Sequence, residues 1–298
     1  MAPEIHGVLT ALSTPFDADE AIDLPLLRTV VDRSVDHGVN GVVAGGSTGE
    51  FASLDNDERR RLVDAVAEHA AGRVPVIAQT GATTTREAIR HSRAAQESGA
   101  DVLMVVTPFY EPLTLTETVA YIKEVASAVE LPVMLYNIPG ATGVNLDPAT
   151  VRSVAEEFEN IRYIKDSSAD WEQGLQLIHH NSDVIGTFIG WDSYIYSALA
   201  EGAAGVMAGA ANVVPAEIVS VYQAISENRL QDALEDWKRL YPVIDAMISE
   251  PFIAAVKAGL RLQGVPAGVP RQPMSDVSPE AEARIERALK ALKEGEQA

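Results

Sequence analysis

The chain has 298 residues, 47% of them hydrophobic, with 43 acidic and 23 basic side chains and a formal net charge of −20. This charge argues against binding nucleic acid or anionic membranes, and no apolar run reaches the ~20 residues of a membrane-spanning helix. The first residues do not resemble a signal peptide, and the absence of cysteine excludes disulfides and a thiolate nucleophile, so we expect a cytoplasmic protein.

Short apolar runs alternate with longer segments of helical periodicity, and the runs predict eight strands. These strands are expected at residues 8–12, 41–44, 74–78, 102–106, 133–136, 162–165, 184–188 and 205–208. Helical periodicity is clearest at residues 24–37, 55–71 and 84–98. Eight strand-plus-helix units in roughly 225 residues indicate an α/β protein with a (β/α)₈ TIM barrel rather than a doubly wound sheet.

Residues with capping side chains precede several of the predicted helices. Asp23 precedes the first, Asp55 or Asn56 the second, Thr83 the third and Asp147 a later one. Because their side-chain oxygens accept hydrogen bonds from the first turn of a helix, they support the predicted helix starts.

After residue 214 the alternation stops, and four helices are predicted at residues 215–228, 230–247, 251–263 and 279–293. We therefore divide the chain into a barrel at residues 1–225 and a C-terminal helical region at residues 226–298. Ile285, Leu289 and Leu292 form an apolar stripe on the last helix. The stripe could be an interaction face, but docking on the chain's own barrel is favoured.

Residues 45–50, Gly-Gly-Ser-Thr-Gly-Glu, follow the second predicted strand. Three glycines around two hydroxyls allow a sharp turn whose N–H groups could hold a small anion such as a carboxylate. The segment does not have the spacing of a phosphate-binding P-loop, and taken by itself it is better explained as an ordinary strand-to-helix turn.

Tyr136 and Lys165 each close an apolar strand. A tyrosine hydroxyl there can pack or pass a proton to a substrate oxygen. A lysine there can extend to solvent, or it can be buried with a lowered pKa and attack a ketone to form a Schiff base. Taken singly, each residue has a structural explanation.

No pair of histidines with carboxylates has the spacing of metal ligands. His179 and His180 are adjacent, so on a helix their side chains would point about 100° apart. We expect neither a metal nor another cofactor in the chemistry.

Together, residues 45–50, residues 135–143 and Lys165 resemble the dihydrodipicolinate synthase and N-acetylneuraminate lyase superfamily, and the resemblance covers nearly the whole chain. It implies that Lys165 forms a Schiff base with a 2-oxo acid and that Tyr136 relays protons. Ser47 and Thr48 would hold the substrate carboxylate and the tyrosine hydroxyl, with Thr48 aligning that hydroxyl.

The resemblance also implies a homotetramer, a dimer of dimers, in which Tyr110 reaches the site of a neighbouring subunit. Further candidate contacts with the substrate are at Gly46, Ser167, Gly190, Asp192 and Gly209.

Two departures from the family pattern bear on the substrate. In the synthase branch an arginine that grips the second substrate's carboxylate stands where this chain has Ala141. In the lyase branch a glutamate that binds the sialic acid tail follows the aspartate, where this chain has Ser193. Asp192, Ser167 and Trp191 remain to bind hydroxyls on a shorter chain.

These observations predict a class I aldolase or hydro-lyase acting on a 2-oxo-3-deoxy sugar acid or a related 4-hydroxy-2-oxo acid. The first alternative is a 4-hydroxy-tetrahydrodipicolinate synthase that condenses pyruvate with aspartate semialdehyde. The second, from another class, is a catalytically silent barrel that binds a 2-oxo acid or a protein partner.

Overall fold

The computed structural model of the protein describes residues 4–295. Eight strands close into a barrel in which each strand pairs in parallel with its neighbours in the chain, and β1 with β8. The strands are β1 Gly7–Ala11, β2 Gly41–Ala44, β3 Val76–Gln79, β4 Val102–Val106, β5 Val133–Asn137, β6 Ile161–Asp166, β7 Gly186–Ile189 and β8 Gly205–Ala208. The predicted TIM barrel is confirmed.

Helices connect the strands and continue after the last one. They are α1 Leu24–Asp36, α2 Asn56–Ala70, α3 Thr85–Glu97, α4 Leu115–Ser127, α5 Pro139–Thr142, α6 Pro148–Glu157, α7 Trp171–His180, α8 Ile195–Ala200, α9 Pro215–Ser226, α10 Leu230–Ile248, α11 Phe252–Leu262 and α12 Pro279–Gly295. None of those within residues 4–295 is long and apolar enough to cross a membrane.

Strand alternation decides which side chains enter the barrel. On β6, Tyr163 packs in the barrel interior and Ile164 packs under the surrounding helices, so Lys165 faces inward again. The β5–β6 register places Tyr136 directly beside Lys165. These two side chains therefore meet at the carboxyl ends of neighbouring strands.

The third and seventh strands are displaced from their predicted positions. β7 begins two residues late because the amides of Val184 and Ile185 both donate to the carbonyl of Asn181, which closes the turn after α7. β3 begins after Pro75, which has no amide hydrogen to donate to a strand ladder.

The caps of α1, α2 and α6 are Asp23, Asp55 and Asp147, as predicted. The prediction of Thr83 as the cap of α3 is wrong. Thr84 takes that position, and its hydroxyl accepts from the amide of Glu87. The two threonines are adjacent, and the extended backbone of Thr84 decides between them.

The apolar stripe of α12 is buried: Ile285, Leu289 and Leu292 are at most 5% exposed. The helix packs against α10 and α11, and α10 in turn contacts α8 and α9. The stripe therefore docks on the chain itself, chiefly through the neighbouring C-terminal helices. The division at residue 225 stays a prediction.

Candidate active site

A cavity of about 210 Å³ opens at the carboxyl ends of the strands. Its lining includes eight of the predicted site residues: Ser47, Thr48, Tyr136, Lys165, Ser167, Gly190, Asp192 and Gly209. The remaining lining residues are Ala11, Ile138, Trp191, Met207, Ile248 and Phe252. Residues from positions 11 to 252 of the sequence thus surround one small space.

Lys165 and Tyr136 form the centre of this cavity. Lys165 is 5% exposed and Tyr136 1% exposed, and the Lys165 Nζ lies 4.1 Å from the centroid of the Tyr136 ring. The lysine nitrogen therefore lies over the negative face of the ring, in the geometry of a cation–π contact. The amine and the phenol are thus both within reach of a carbonyl group bound between them.

The turn at residues 45–50 brings two hydroxyls to the cavity. The amides of Gly49 and Glu50 donate to the carbonyls of Gly46 and Ser47, both at 3.0 Å. Glycine is needed at position 49, because an added Cβ would lie 2.8 Å from the carbonyl oxygen of Leu12. This packing holds Ser47 and Thr48 at the cavity wall.

The hydroxyl that contacts Tyr136 is that of Ser47, with an Oγ–Oη distance of 3.2 Å. The expectation that Thr48 aligns the tyrosine therefore differs from the observed geometry. Thr48 lines the cavity beside Gly209, where an added Cβ would lie 3.1 Å from the threonine Oγ1. Both hydroxyls therefore line the cavity, and the one in contact with the Tyr136 hydroxyl is that of Ser47.

The Lys165 side chain packs directly against Gly190. A Cβ added at this position would overlap the Lys165 Cε and the Ser167 Oγ. The Ser167 hydroxyl instead donates to the Gly190 carbonyl at 3.1 Å. Any side chain at residue 190 would therefore displace the amine.

Asp192 is a buried carboxyl group at the cavity wall. Burial raises its pKa to about 6, although the amides of Ala210 and Gly209 and the charge of Lys165 act in the opposite direction. Those amides donate to its two oxygens at 2.8 and 3.3 Å. Asp192 thus both fixes the start of the turn after β8 and places a titratable group near Lys165.

We expect kcat/KM to rise as pH increases through about 6, because the Asp192 carboxylate formed above this pKa stabilises a positive iminium on Lys165. Asp192→Asn should remove this inflection from the pH profile. Asp183→Asn, which removes an exposed acid paired with Arg152, serves as the control and should retain it. An unchanged inflection in Asp192→Asn would contradict the assignment.

Asp166, the residue after Lys165, is the centre of a network of polar side chains. Asp166 accepts from Asn137, Gln173 and Ser168 at 2.8, 3.1 and 2.7 Å. Burial raises the pKa of Asp166, and these hydrogen bonds oppose the shift. Asn137 also binds Asn145, so the network ties β6 to the segment after β5.

Two predicted site residues lie outside the cavity lining. Gly46 is buried beside Met104 and Val43, where it supports the turn. Tyr110 is 88% exposed, with a φ of 86° in the left-handed region. Within one copy of the chain it does not reach Lys165.

A second cavity, of about 370 Å³, adjoins the first and shares Ser47 and Ile138 with it. Its lining is mostly apolar and contains Ala141. Among the described residues that line the two cavities, Lys165 is the only cation.

Ile248 and Phe252 are site residues that the sequence analysis missed. They lie at the end of α10 and the start of α11, where Glu250 and Pro251 interrupt the helical pattern. That break is the signal that could have identified them. They make one wall of the cavity apolar.

Among residues 4–295, no group of three or more histidine and acidic side chains is arranged to hold a metal ion. His179 instead lies 3.1 Å from the Glu201 carboxylate on the surface.

Comparison with known proteins gives consistent matches over the full length. The model of the dihydrodipicolinate synthetase family matches residues 4–292. The 4-hydroxy-tetrahydrodipicolinate synthase of Methanopyrus kandleri is 35% identical, covering 98% of both chains. An uncharacterized DapA-like lyase of Halobacterium salinarum is 38% identical, covering 97% of this chain and 94% of the relative.

Among solved structures, YagE of Escherichia coli K12, a prophage protein of the dihydrodipicolinic acid synthase family crystallised with pyruvate, superposes with a TM-score of 0.92. It is 31% identical, and the match covers 97% of this chain and 98% of YagE.

Proposed function

This chain belongs to the dihydrodipicolinate synthetase family of class I lysine Schiff-base lyases, and we propose that it acts on a short 2-oxo acid whose tail carries hydroxyl groups. The substrate class is a 2-oxo-3-deoxy sugar acid or a 4-hydroxy-2-oxo acid, with pyruvate as product or donor. Family membership and the convergence of Lys165, Tyr136 and Ser47 favour an enzyme over a silent binding barrel.

The reaction begins when the Lys165 Nζ attacks the C2 carbonyl of the 2-oxo acid. The carbinolamine formed loses water to give an iminium, and the Tyr136 hydroxyl moves the protons between amine, carbinolamine and water. Ser47 holds that hydroxyl at 3.2 Å, and the turn at residues 45–50 binds the substrate carboxylate.

Cleavage uses the iminium as the electron acceptor. Removal of the proton from the C4 hydroxyl lets the C3–C4 bond break, and its electron pair forms an enamine of pyruvate while an aldehyde leaves. The enamine is protonated at C3, and water then releases pyruvate and restores Lys165. In a hydro-lyase the C3–C4 bond stays intact: removal of a C3 proton from the substrate iminium gives an enamine, which expels the C4 hydroxyl as water once that oxygen is protonated.

We propose a hydroxylated tail rather than an acidic one because the described lining of the two cavities contains no cation besides Lys165. Lys165 is consumed by the Schiff base, and no arginine or other lysine is among the described residues that line the two cavities. A second carboxylate bound there would be buried without a partner, which is costly. Hydroxyls, in contrast, can bind Asp192 and Ser167.

The cavity also limits the length of the tail. At about 210 Å³ it is smaller than the roughly 300–1,000 Å³ of sites for drug-sized ligands, and Ile248 and Phe252 form part of its wall. Assaying pyruvate with a panel of aldehydes, against a panel of 3-deoxy-2-oxo acids, tests the proposal. Substrates with hydroxylated tails should give the highest kcat/KM.

A second candidate is 4-hydroxy-tetrahydrodipicolinate synthase, the activity named for several relatives of 34–38% identity. It requires the second carboxylate to bind elsewhere than at Ala141. The two candidates share the Schiff-base step and differ only in the second substrate.

Ala141→Arg distinguishes them. Wild-type enzyme is expected to condense pyruvate with aspartate semialdehyde weakly, and the new guanidinium should raise kcat/KM for that aldehyde about tenfold, since a charge-assisted hydrogen bond contributes about 1.5–3 kcal/mol. Ala141→Gln, which adds length without charge, is the control. If the wild-type enzyme condenses pyruvate with aspartate semialdehyde as fast as it catalyses its best other reaction, the synthase activity is established instead.

The assembly and location remain predictions. The exposed Tyr110 and the adjoining apolar cavity support a homotetramer in which this tyrosine reaches a neighbouring site. Mass measurement in solution tests the tetramer, and cell fractionation tests the cytoplasmic location.

A further inference from the structure

Glu50 and Lys257 form a buried ion pair that the proposed reaction does not use. The Lys257 Nζ lies 2.6 Å from the Glu50 Oε1, and both side chains are 0% exposed. Removing two charges from water is unfavourable, and apolar residues of similar volume often stabilise a core equally well. Stability alone therefore does not explain this ion pair, and a second role follows from its position.

Each member of the pair has a further contact. Lys257 donates to the Val269 carbonyl at 2.9 Å, and its Nζ lies 4.3 Å from the centroid of the Phe16 ring. The second oxygen of Glu50 accepts from the Arg271 amide at 2.9 Å. The Glu50 Oε1 has Lys257 as its ion-pair partner and accepts no hydrogen bond from another described residue.

Glu50 is the last residue of the turn that carries the site hydroxyls. Its amide donates to the Ser47 carbonyl at 3.0 Å, and its backbone has a φ of 58°. A residue with a Cβ rarely adopts this left-handed conformation, so surrounding contacts must maintain it. The contacts of its side chain, the ion pair with Lys257 and the hydrogen bond from the Arg271 amide, hold the residue in place.

Lys257 lies on α11, the helix that begins with Phe252 at the cavity wall. A side chain at Gly209 would overlap Phe252 and approach the Thr48 Oγ1, so the turn and α11 meet at this glycine. The ion pair joins the same two elements, and Glu50 itself lines the second cavity together with Ser47.

We infer that Glu50 and Lys257 are positioning residues, whose ion pair holds the turn at residues 45–50 against α11 and thereby sets where the substrate carboxylate binds. This inference rests on the proposed function, in which the turn at residues 45–50 binds that carboxylate. The C-terminal helix α11 would then contribute to the affinity of the enzyme for the 2-oxo acid.

The test measures pyruvate affinity separately from stability. Glu50→Gln, Lys257→Met and the double variant are incubated with increasing pyruvate, and the adduct on Lys165 is trapped with borohydride well below each melting temperature. We expect the half-saturating pyruvate concentration to rise about tenfold or more in each, because small displacements of binding groups have large effects.

The double variant separates positioning from charge burial. Lys257→Met alone leaves a buried carboxylate unpaired and should lower the melting temperature, whereas the double variant removes both charges and should recover much of that loss. We expect its pyruvate affinity to stay weak. Recovery of both stability and wild-type affinity would overturn the inference.

Arg261→Met is the matched control on the same helix. Arg261 binds Asp276 at 2.8 Å and the Gly268 carbonyl at 3.0 Å, tying α11 to the segment that follows it. This variant should lose stability but keep its pyruvate affinity, and an equal loss of affinity would also refute the positioning role.

Should Lys257→Met not fold, Glu50→Gln keeps the test decisive, because glutamine preserves the shape and the acceptor for the Arg271 amide. Wild-type affinity in Glu50→Gln would then overturn the inference. Failure to trap any adduct on Lys165 in the wild-type chain would instead refute the proposed function, so the two failures are distinguishable.

Discussion

Lys165→Arg is expected to abolish turnover while leaving the fold intact. Guanidinium stays protonated and cannot attack a carbonyl, so the loss should be on the order of 10⁴-fold or more, as for other covalent nucleophiles. Borohydride reduction with pyruvate should add mass to the wild-type chain at Lys165 and leave Lys165→Arg unmodified, which peptide mapping by mass spectrometry measures.

Lys257 and Lys123 are not expected to form the adduct, in contrast to Lys165. Lys257 is fully buried in its ion pair, and burial lowers its pKa although Glu50 opposes the shift. Lys123 lies on the surface, 2.6 Å from Glu157. Lys123→Arg is therefore the matched control, with unchanged turnover and an unchanged adduct on Lys165. An adduct on Lys123 or Lys257, or none at all, would refute the mechanism.

Tyr136→Phe is expected to lower kcat about 10²–10⁴-fold, the range for loss of a positioned proton-transfer group. The ring that packs against the Lys165 ammonium at 4.1 Å is kept, and only the hydroxyl held by Ser47 is lost. The adduct with pyruvate should therefore still form on long incubation, but slowly. Single-turnover trapping with borohydride measures its rate.

Tyr163→Phe is the control for this change. Tyr163 is also a buried tyrosine of the barrel interior, but its hydroxyl accepts from the Ile5 amide at 3.2 Å, on the N-terminal segment before β1. The control should lose some stability and keep its turnover. A Tyr136→Phe enzyme as fast as Tyr163→Phe would exclude the proton relay.

The sequence by itself determined the barrel and the centre of the site. Apolar runs and helical periodicity reflect local burial, so eight strand-plus-helix units could be recognised and were confirmed. Lys165 and Tyr136 could be singled out because each closes an apolar strand, because carboxyl ends of parallel strands converge in a barrel, and because their segments resemble those of the superfamily. The strand ends were less certain, as at Ile185, because turn hydrogen bonds compete with the strand ladder.

Only the tertiary structure decided which side chains meet across long separations. Because α10 and α11 fold back over the barrel, Ile248 and Phe252 line the cavity. For the same reason Lys257 pairs with Glu50, about 200 positions earlier in the sequence. The partner of the Tyr136 hydroxyl is Ser47 because of the turn's hydrogen bonds, which its sequence does not distinguish from the alternative with Thr48. Local pattern records burial and periodicity, whereas these contacts depend on how separately encoded elements pack together.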